Sequence, residues 1–300
     1  MDLMSARARL ALVLSASVVA LVGCGDSNAD DQTPTSSTTK HHHNGDHDTD
    51  AADPSESPTE TAGTVTVPVY FVGDTPQGTK LFREFRKVEA DNPADEALAL
   101  MTAGDTLDPD YDTLYPDGSF DGVEIGDDAI TVALADDAWT TAPDGMSQSE
   151  ARLAAQQLVY TVQGVAQSRL PVEITLDGAP ADLFGLGGEL SNEPEIDVRA
   201  LVNVTTPEQG ASVNGTFTAS GVSSSFEATT PWEIRDGDGK VVAKGFSTAD
   251  GWMDKLYPWE TLVDVSDLAP GDYTFVAMTD DPSGGEGSGP TEDSKAITVS

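Results

Sequence analysis

The sequence predicts two folded regions of different class: an α+β region with two helices on a mixed sheet, then an all-β sandwich. Two patterns between residues 64 and 184 predict the α+β region. Runs with alternating apolar residues are typical of strands, and the segments between them have the apolar spacing of helices. The second region, residues 196–300, contains about seven short apolar runs separated by turn residues, a pattern typical of a β-sandwich. A chain of 300 residues has room for about two domains and a tail.

The N-terminal segment predicts export. Arg7 and Arg9 precede an uncharged apolar run of about thirteen residues, shorter than the roughly twenty that a membrane-spanning helix needs. A basic head, an apolar middle and the small Gly23 together indicate a signal peptide over residues 1–23. The stretch Leu21-Val22-Gly23-Cys24 resembles the lipobox of bacterial lipoproteins.

The lipobox resemblance implies cleavage before Cys24 and lipid attachment to its thiol, as in palmitoylated lipoproteins. The protein is then expected at the extracytoplasmic face of the cell membrane, in contact with the membrane through its lipid anchor only. An ordinary secretory signal with a chance cysteine remains the alternative. Because Cys24 is the single cysteine, no internal disulfide is possible, and the exported domains depend on core packing.

Charge and composition limit the partners. A formal net charge of -37 repels phosphate backbones, so nucleic acid is excluded as a partner. Cationic proteins, divalent ions and uncharged glycans remain, and the acidity is equally consistent with a role in solubility alone. Residues 24–63 have almost no apolar side chains after Cys24 and are predicted to form a disordered acidic tether.

All four histidines lie in the tether, among aspartates. Such a tract sometimes binds zinc, nickel or copper, but a disordered site must first be ordered, so the favoured interpretation is no metal site and no cofactor. The histidines and the neighbouring aspartates are His41, His42, His43, His47, Asp46, Asp48 and Asp50.

The α+β region begins with alternating apolar residues from Val65 to Phe71, which predict a strand. A second strand is predicted over residues 80–89. It carries a basic cluster that suits either a docking patch for an acidic partner or a solvated face, and the solvated face is favoured. The members of the basic cluster are Lys80, Arg83, Arg86 and Lys87.

Two helices are predicted from their ends. Asn92 and Pro93 have the positions of an N-cap and a first helical residue, and Gly104 supplies the stop. Ser147 and Glu150 have capping-box spacing and precede an apolar stripe over residues 151–166. A hairpin over residues 123–134 and a strand over residues 172–176 complete the region.

The α+β region resembles the GerMN domain of sporulation and spore-germination proteins over about residues 64–180. The resemblance implies the fold and a sporulation, germination or envelope process, and carries over no catalytic set. It departs from the family at Gly104-Asp105, where the family often has Gly-Pro. The matching motifs are Val67-Pro68-Val69-Tyr70-Phe71, Pro93-Ala94-Asp95-Glu96-Ala97-Leu98, Tyr115-Pro116-Asp117-Gly118-Ser119, Gln157-Leu158-Val159-Tyr160-Thr161 and the Val172 to Gly178 strand end.

A short hinge is predicted over residues 185–195, which are rich in Gly, Ser, Asn, Glu and Pro. Beyond it, Tyr273 follows a Leu-Ala-Pro-Gly-Asp turn in the pattern of a tyrosine corner. The second region thus resembles the immunoglobulin-like domain that often follows GerMN in bacterial envelope proteins. Its strands are predicted at residues 198–204, 213–219, 232–235, 241–246, 261–265, 273–278 and 297–299.

Two features of the second region have competing interpretations. The Asp-Gly-Asp-Gly run at residues 236–239 lacks the Glu of a calcium loop and predicts a hairpin turn. Trp252, Tyr257 and Trp259 suit either a surface that stacks on a sugar or partner, or core packing, and core packing is favoured.

Catalytic chemistry is sparse. No His follows His47 and no Cys follows Cys24, so the folded regions lack Ser-His, Cys-His and His-ligated metal sites. The sequence therefore predicts a non-enzymatic interaction or scaffold protein with an envelope protein or cell-wall component as partner. The alternative is a carboxylate-dependent cell-wall glycan hydrolase or glycan-binding protein. Neighbouring acidic pairs, which are poor proton-sharing dyads because neighbours in extended chain point apart, occur at Asp127-Asp128, Asp136-Asp137 and Asp280-Asp281.

Overall fold

A computed structural model describes residues 63–281, 286–287 and 289–300. The predicted signal peptide, the lipidation site Cys24 and the four histidines lie outside these described residues. Within the described ranges, no helix has both the length and the apolar character that crossing a bilayer requires.

The chain begins with a long hairpin. Strand β1 (Thr64–Thr75) pairs antiparallel with β2 (Gly78–Glu89) along its whole length, as a two-stranded sheet of its own. The predicted alternation is confirmed from Val67 onward, because Val67, Val69 and Phe71 are buried whereas Val65 is exposed. The order of elements in the sequence did not predict that this hairpin stays separate from the other strands.

The second sheet of the α+β region is mixed, as predicted. Strand β4 pairs antiparallel with β3 and parallel with β5, and two short strands extend β5 on its other side. Its strands are β3 (Phe120–Ile125), β4 (Ile130–Leu134), β5 (Val172–Leu176), β6 (Ala179–Pro180) and β7 (Glu189–Leu190).

The two predicted helices are α1 (Pro93–Ala103) and α2 (Gln148–Ala166). The capping box of Ser147 and Glu150 is present at α2, and Gly104 ends α1 in the left-handed conformation. Asn92 lies at the N-cap of α1, but its side chain makes no capping hydrogen bond. Asp95 of α1 instead reaches the mixed sheet, where it accepts a hydrogen bond of 2.7 Å from the Val123 backbone N–H.

Helix α2 lies at the centre of the α+β region. All residues from Ala154 to Gln163 are buried, so the helix is covered on every side and not only along the predicted stripe. Toward the hairpin, Thr161 Oγ1 accepts a hydrogen bond of 3.1 Å from the Tyr70 N–H, and Tyr160 packs on the Tyr70 ring at 5.3 Å. Its apolar residues also share one core cluster with β4 and β5.

After a short helix, α3 (Glu195–Val198), the chain forms the predicted sandwich from a three-stranded and a five-stranded sheet. Val198 belongs to α3 and not to the first strand, and the second predicted run divides into β9 and β10. The strands are β8 (Val202–Thr206), β9 (Ala211–Val213), β10 (Thr216–Ser223), β11 (Thr229–Arg235), β12 (Val241–Thr248), β13 (Tyr257–Asp264), β14 (Gly271–Met278) and β15 (Glu292–Val299).

Two local predictions in the sandwich are confirmed. The Tyr273 hydroxyl donates a hydrogen bond of 2.9 Å to the Ala269 carbonyl, which is the tyrosine corner. The Asp-Gly-Asp-Gly run forms the turn between β11 and β12, where Asp236 Oδ1 accepts from the Asp238 and Lys240 N–H groups.

The predicted hinge at residues 185–195 is wrong. Within it, β7 pairs with β5, and Gln156 of α2 contacts the Ser191 carbonyl and the Glu193 N–H at 3.0 and 2.8 Å. The Tyr160 hydroxyl donates to the Glu193 carbonyl at 2.6 Å. Residues 185–195 have the composition of a linker but form a packed connection, because side chains of α2 bind the backbone of this segment.

We expect Gly164→Ala to destabilise the protein by about 1 kcal/mol, although alanine normally favours a helix by a similar amount. A Cβ atom at Gly164 would lie 2.6 Å from Pro68 Cγ, so helix and hairpin would have to separate. Urea denaturation measures the change. The matched control is Gly237→Ala, where a Cβ meets no atom within 4 Å; a Gly164→Ala variant as stable as this control would contradict the close packing.

Candidate functional site

The most conspicuous polar cluster of the described residues lies where the sandwich meets the α+β region. The ammonium of Lys295, on β15, lies 2.5 Å from Asp108 Oδ2 and 2.9 Å from Asp293 Oδ1. Lys295, Asp108 and Asp293 are 5, 2 and 3% exposed. Asp108 belongs to the loop after α1, so this ion cluster joins the two regions of the chain.

Neutral groups complete the cluster. The Tyr111 hydroxyl lies 2.7 Å from Lys295 Nζ and donates to Asp293 Oδ1, also at 2.7 Å. Asp293 Oδ2 accepts from Asn203 Nδ2 at 2.9 Å and from the Val204 N–H at 2.5 Å. Asn203 Oδ1 in turn accepts from the Arg83 N–H at 2.8 Å, which connects the cluster to the hairpin.

Glu84 fixes the loop that carries Asp108. Its carboxylate is 7% exposed and accepts hydrogen bonds from the N–H groups of Leu107 and Asp108, at 2.9 and 2.8 Å to Oε1. Arg86 lies 3.5 Å from the same carboxylate and also donates to the Asp105 carbonyl. A strand residue of the hairpin therefore positions the loop against the sandwich.

The electrostatics of the cluster suit a structural role. Burial raises the pKa of Asp108, although Lys295 acts in the opposite direction. Burial alone would lower the pKa of Lys295, but the Asp293 and Asp108 carboxylates outweigh it and raise that pKa. Burial and the same two aspartates raise the pKa of Tyr111 well above its ordinary value. Lys295 is therefore charged and Tyr111 neutral at neutral pH.

We expect Lys295→Met to destabilise the protein by about 3–5 kcal/mol, because it leaves two buried carboxylates without their cation. Adding Asp108→Asn should recover part of the loss, since one of those charges is then removed. Urea denaturation of the two single variants and the double variant measures the coupling free energy between Lys295 and Asp108. Lys240→Met, at an exposed lysine, is the control, and an equal effect in both lysine variants would contradict a stabilising role for the ion cluster.

The raised pKa of Tyr160 predicts that the protein loses stability at alkaline pH. Burial, with the Glu195 carboxylate, raises the pKa of Tyr160 to about 12. Unfolded tyrosine loses its proton near pH 10, whereas folded Tyr160 retains it, so the free energy of unfolding should fall as pH rises from about 10 to about 12. Denaturation midpoints at stepped pH measure the slope. Tyr160→Phe should make the slope shallower, and an unchanged slope would contradict the assignment.

A cavity of about 260 Å³ adjoins the ion cluster; we call it the junction cavity. Arg83 on β2 lines it, and also lines a neighbouring groove of about 650 Å³ on the side of β10 and β13. Phe85 and Thr205 also line both the junction cavity and this groove. The residues that line the junction cavity are Thr66, Arg83, Glu84, Phe85, Leu107, Asp108, Val204, Thr205, Thr206, Glu208, Gln209 and Lys295.

The favoured interpretation of the basic cluster as a solvated face is wrong. Only Lys87 is exposed; Arg86 binds the loop after α1, and Lys80 Nζ donates to the Asp197 carbonyl at 2.6 Å. Arg83 faces the sandwich through Asn203 and Thr205. Local charge could not predict the contacts of Lys80 and Arg83, because their partners are more than a hundred residues away in the sequence.

The aromatic residues considered for surface binding separate into two groups. Trp259 is 3% exposed and belongs to the sandwich core, as favoured, and Tyr257 packs against the same core. Trp252 is instead 36% exposed and lies edge-on to the exposed Phe226, with 5.1 Å between ring centres. These two aromatic rings form a small surface patch.

The neighbouring acidic residues lie at the surface. The residues of the first two pairs are exposed at bends of the chain, and Asp280 of the third pair is also exposed. Among the described residues, no group of three or more His, Cys, Asp or Glu side chains is arranged to hold a metal ion.

Sequence reasoning missed the ion cluster, yet one signal was present. In β15, Asp293, Lys295, Ile297 and Val299 occupy alternate positions and are all buried. Extending the alternation upstream from Ile297 would have placed a lysine and an aspartate on the inward face. No comparable pattern marks Asp108, Glu84 and Asn203, because their roles depend on contacts with other elements of the fold.

Comparison with protein-family models gives two matches. Residues 68–182 match the family described as "Sporulation and spore germination", and residues 201–286 match the "Immunoglobulin-like domain of bacterial spore germination". The predicted order of a GerMN-type domain followed by an immunoglobulin-like domain is confirmed. The chain therefore contains one segment similar to each of these two domain families, in the predicted order.

Solved structures show only distant likeness. The tandem GerMN domains of the sporulation protein GerM from Bacillus subtilis are 13% identical, with a TM-score of 0.34, and the match covers 67% of this chain and 62% of that one. A lytic polysaccharide monooxygenase from Jonesia denitrificans is 14% identical, with a TM-score of 0.21 and coverage of 31% and 60%. Neither supports a conclusion about this chain. Among curated proteins, no significant match was found.

Proposed function

We propose that the protein is a non-enzymatic interaction or scaffold protein of the bacterial cell envelope, of the sporulation and germination type. A signal peptide (residues 1–23) directs export, and lipid on Cys24 holds the protein at the extracytoplasmic face of the membrane. A tether of residues 24–63 then carries the GerMN-type domain (64–184) and the immunoglobulin-like domain (196–300).

The observation that carries the proposal is the ion cluster at the junction. Its buried ionisable groups bind one another across the two domains, with Lys295 from one domain and Asp108 from the other. Removing one partner of a buried ion pair is strongly destabilising, so the junction resists separation of the domains. Two domains held in a fixed relation suit a protein that presents a composite binding surface.

The proposed partner is an envelope protein or a cell-wall component. A net charge of -37 opposes nucleic acid and anionic headgroups. A tether of roughly forty residues reaches about 35 Å by coil statistics, and repulsion among its charges extends it further. The binding domains can therefore contact partners well above the lipid surface.

We expect a crosslinking pull-down from intact cells to capture a defined set of envelope proteins with the wild-type protein, and to lose it with Cys24→Ala at matched expression. Cys24→Ser should behave like Cys24→Ala, and labelled palmitate should enter the wild type alone. Reproducible capture by the unlipidated variants would contradict the need for anchoring. Turnover of a wall glycan by the purified protein would contradict the non-enzymatic role and favour a hydrolase.

A further inference from the structure

Arg83 differs from the other arginines that are at least partly buried in the described parts of the chain. Arg86, Arg199 and Arg235 each lie within 3.5 Å of a carboxylate oxygen. Arg83 has no ion pair among the described residues. Its Nε atom, like that of Arg199, is buried without a hydrogen-bond partner. Its Nη2 atom reaches Thr205 Oγ1 at 3.4 Å, which is a long hydrogen bond.

Burial of this cation is only partly compensated. Removal from water lowers the pKa of Arg83, and Arg199 acts in the same direction, whereas Tyr70 and the Glu195 carboxylate act in the opposite direction but do not outweigh burial. The protein has 52 acidic and 15 basic residues, so carboxylates are plentiful. Because Arg83 pairs with none of the chain's own carboxylates, its guanidinium can pair with a carboxylate of another molecule.

The junction cavity supplies room for that carboxylate. The guanidinium carbon of Arg83 lies 4.6 Å from the centre of the Phe85 ring, so stacking on the ring fixes its orientation. Phe85 and Leu107 are 39 and 49% exposed and form an apolar rim. Thr66, Thr206 and Gln209 add side chains that donate hydrogen bonds.

The acidic residues of the cavity wall are mostly engaged. Glu84 accepts from the Leu107 and Asp108 N–H groups, and Asp108 pairs with Lys295. Glu208 is exposed and is the remaining carboxylate of the lining. Of the two cations that line the cavity, Lys295 is paired with Asp108 and Asp293, which leaves Arg83. One unpaired cation in a small cavity of an acidic protein favours an anion with a single charge, because each further negative charge adds repulsion.

We infer that the junction cavity binds a peptide carboxylate, with Arg83 as its cationic partner and Phe85 and Leu107 as contacts for the adjoining apolar atoms. A guanidinium matches the two oxygens of a carboxylate geometrically, which a lysine does not. The inference rests on the proposed binding role, and it names the chemistry that this surface recognises. The carboxylate is either a chain terminus or an acidic side chain.

The test uses the full chain, isotope-labelled at its arginines, and follows the Arg83 Nε–H signal by NMR. Three blocked dipeptides are titrated to millimolar concentration: N-acetyl-Ala-Ala with a free terminus, N-acetyl-Ala-Glu amide and the neutral N-acetyl-Ala-Ala amide. We expect a saturable shift of the Arg83 signal with at least one of the two charged peptides. A shift with N-acetyl-Ala-Ala indicates a terminal carboxylate as the ligand, and a shift with N-acetyl-Ala-Glu amide indicates an acidic side chain. The neutral peptide should give none.

Three variants separate binding from folding. Arg83→Gln should weaken the carboxylate peptides about tenfold or more, followed through the Phe85 and Thr205 amide signals, as expected for loss of charge-assisted hydrogen bonds. Lys87→Gln, which removes one exposed charge from the same strand, should leave affinity unchanged. Thr205→Asp should place a carboxylate beside Arg83, abolish peptide binding and raise thermal stability, so it also serves if Arg83→Gln misfolds.

Equal shifts with the neutral peptide, no shift with any peptide, or undiminished binding by Thr205→Asp would overturn the inference. These outcomes are separable from failure of the proposed function. If wild-type cells still yield a defined envelope protein set while the peptides do not bind, the scaffold role stands and only the carboxylate site is wrong.

Discussion

The contact between Lys295 and its two aspartates sets the relation between the halves of the molecule. An ammonium taken out of water is costly unless carboxylates and hydrogen bonds replace its hydration. Here Asp108 comes from one region and Asp293 from the other, and Tyr111 and Asn203 donate further hydrogen bonds to Asp293. Separating any of these partners would leave a buried charge unpaired, so the two regions keep one arrangement.

The hairpin makes this arrangement possible because its two faces have different neighbours. On β2, Phe82 and Glu84 point into the core of the α+β region and the loop that it holds. The Arg83 side chain, one residue away on the opposite face, contacts Thr205 of the sandwich. The outer edge of β2 is also covered, since the Ala200 N–H donates to the Leu81 carbonyl. A free sheet edge is thereby avoided.

Local chemistry predicted much of the fold. Apolar alternation located β1 and the sandwich strands, the Ser147 and Glu150 pair located α2, and Tyr273 located the corner, because each signal depends on neighbours in sequence. The candidate site depends on contacts between distant residues. Neither the roles of Arg83 and Glu84 nor the packed connection at Glu193 could be derived before the covering elements were known.

The sequence distance between the partners of the ion cluster also bears on how the chain folds. Lys295 and Asp108 are 187 residues apart, whereas Glu84 binds Asp108 across 24. Loop-closure entropy places the short-range contact earlier and the long-range one later. Until β15 docks, Asp108 lacks its cation, so we expect the ion cluster to be completed after Glu84 has bound the loop that carries Asp108.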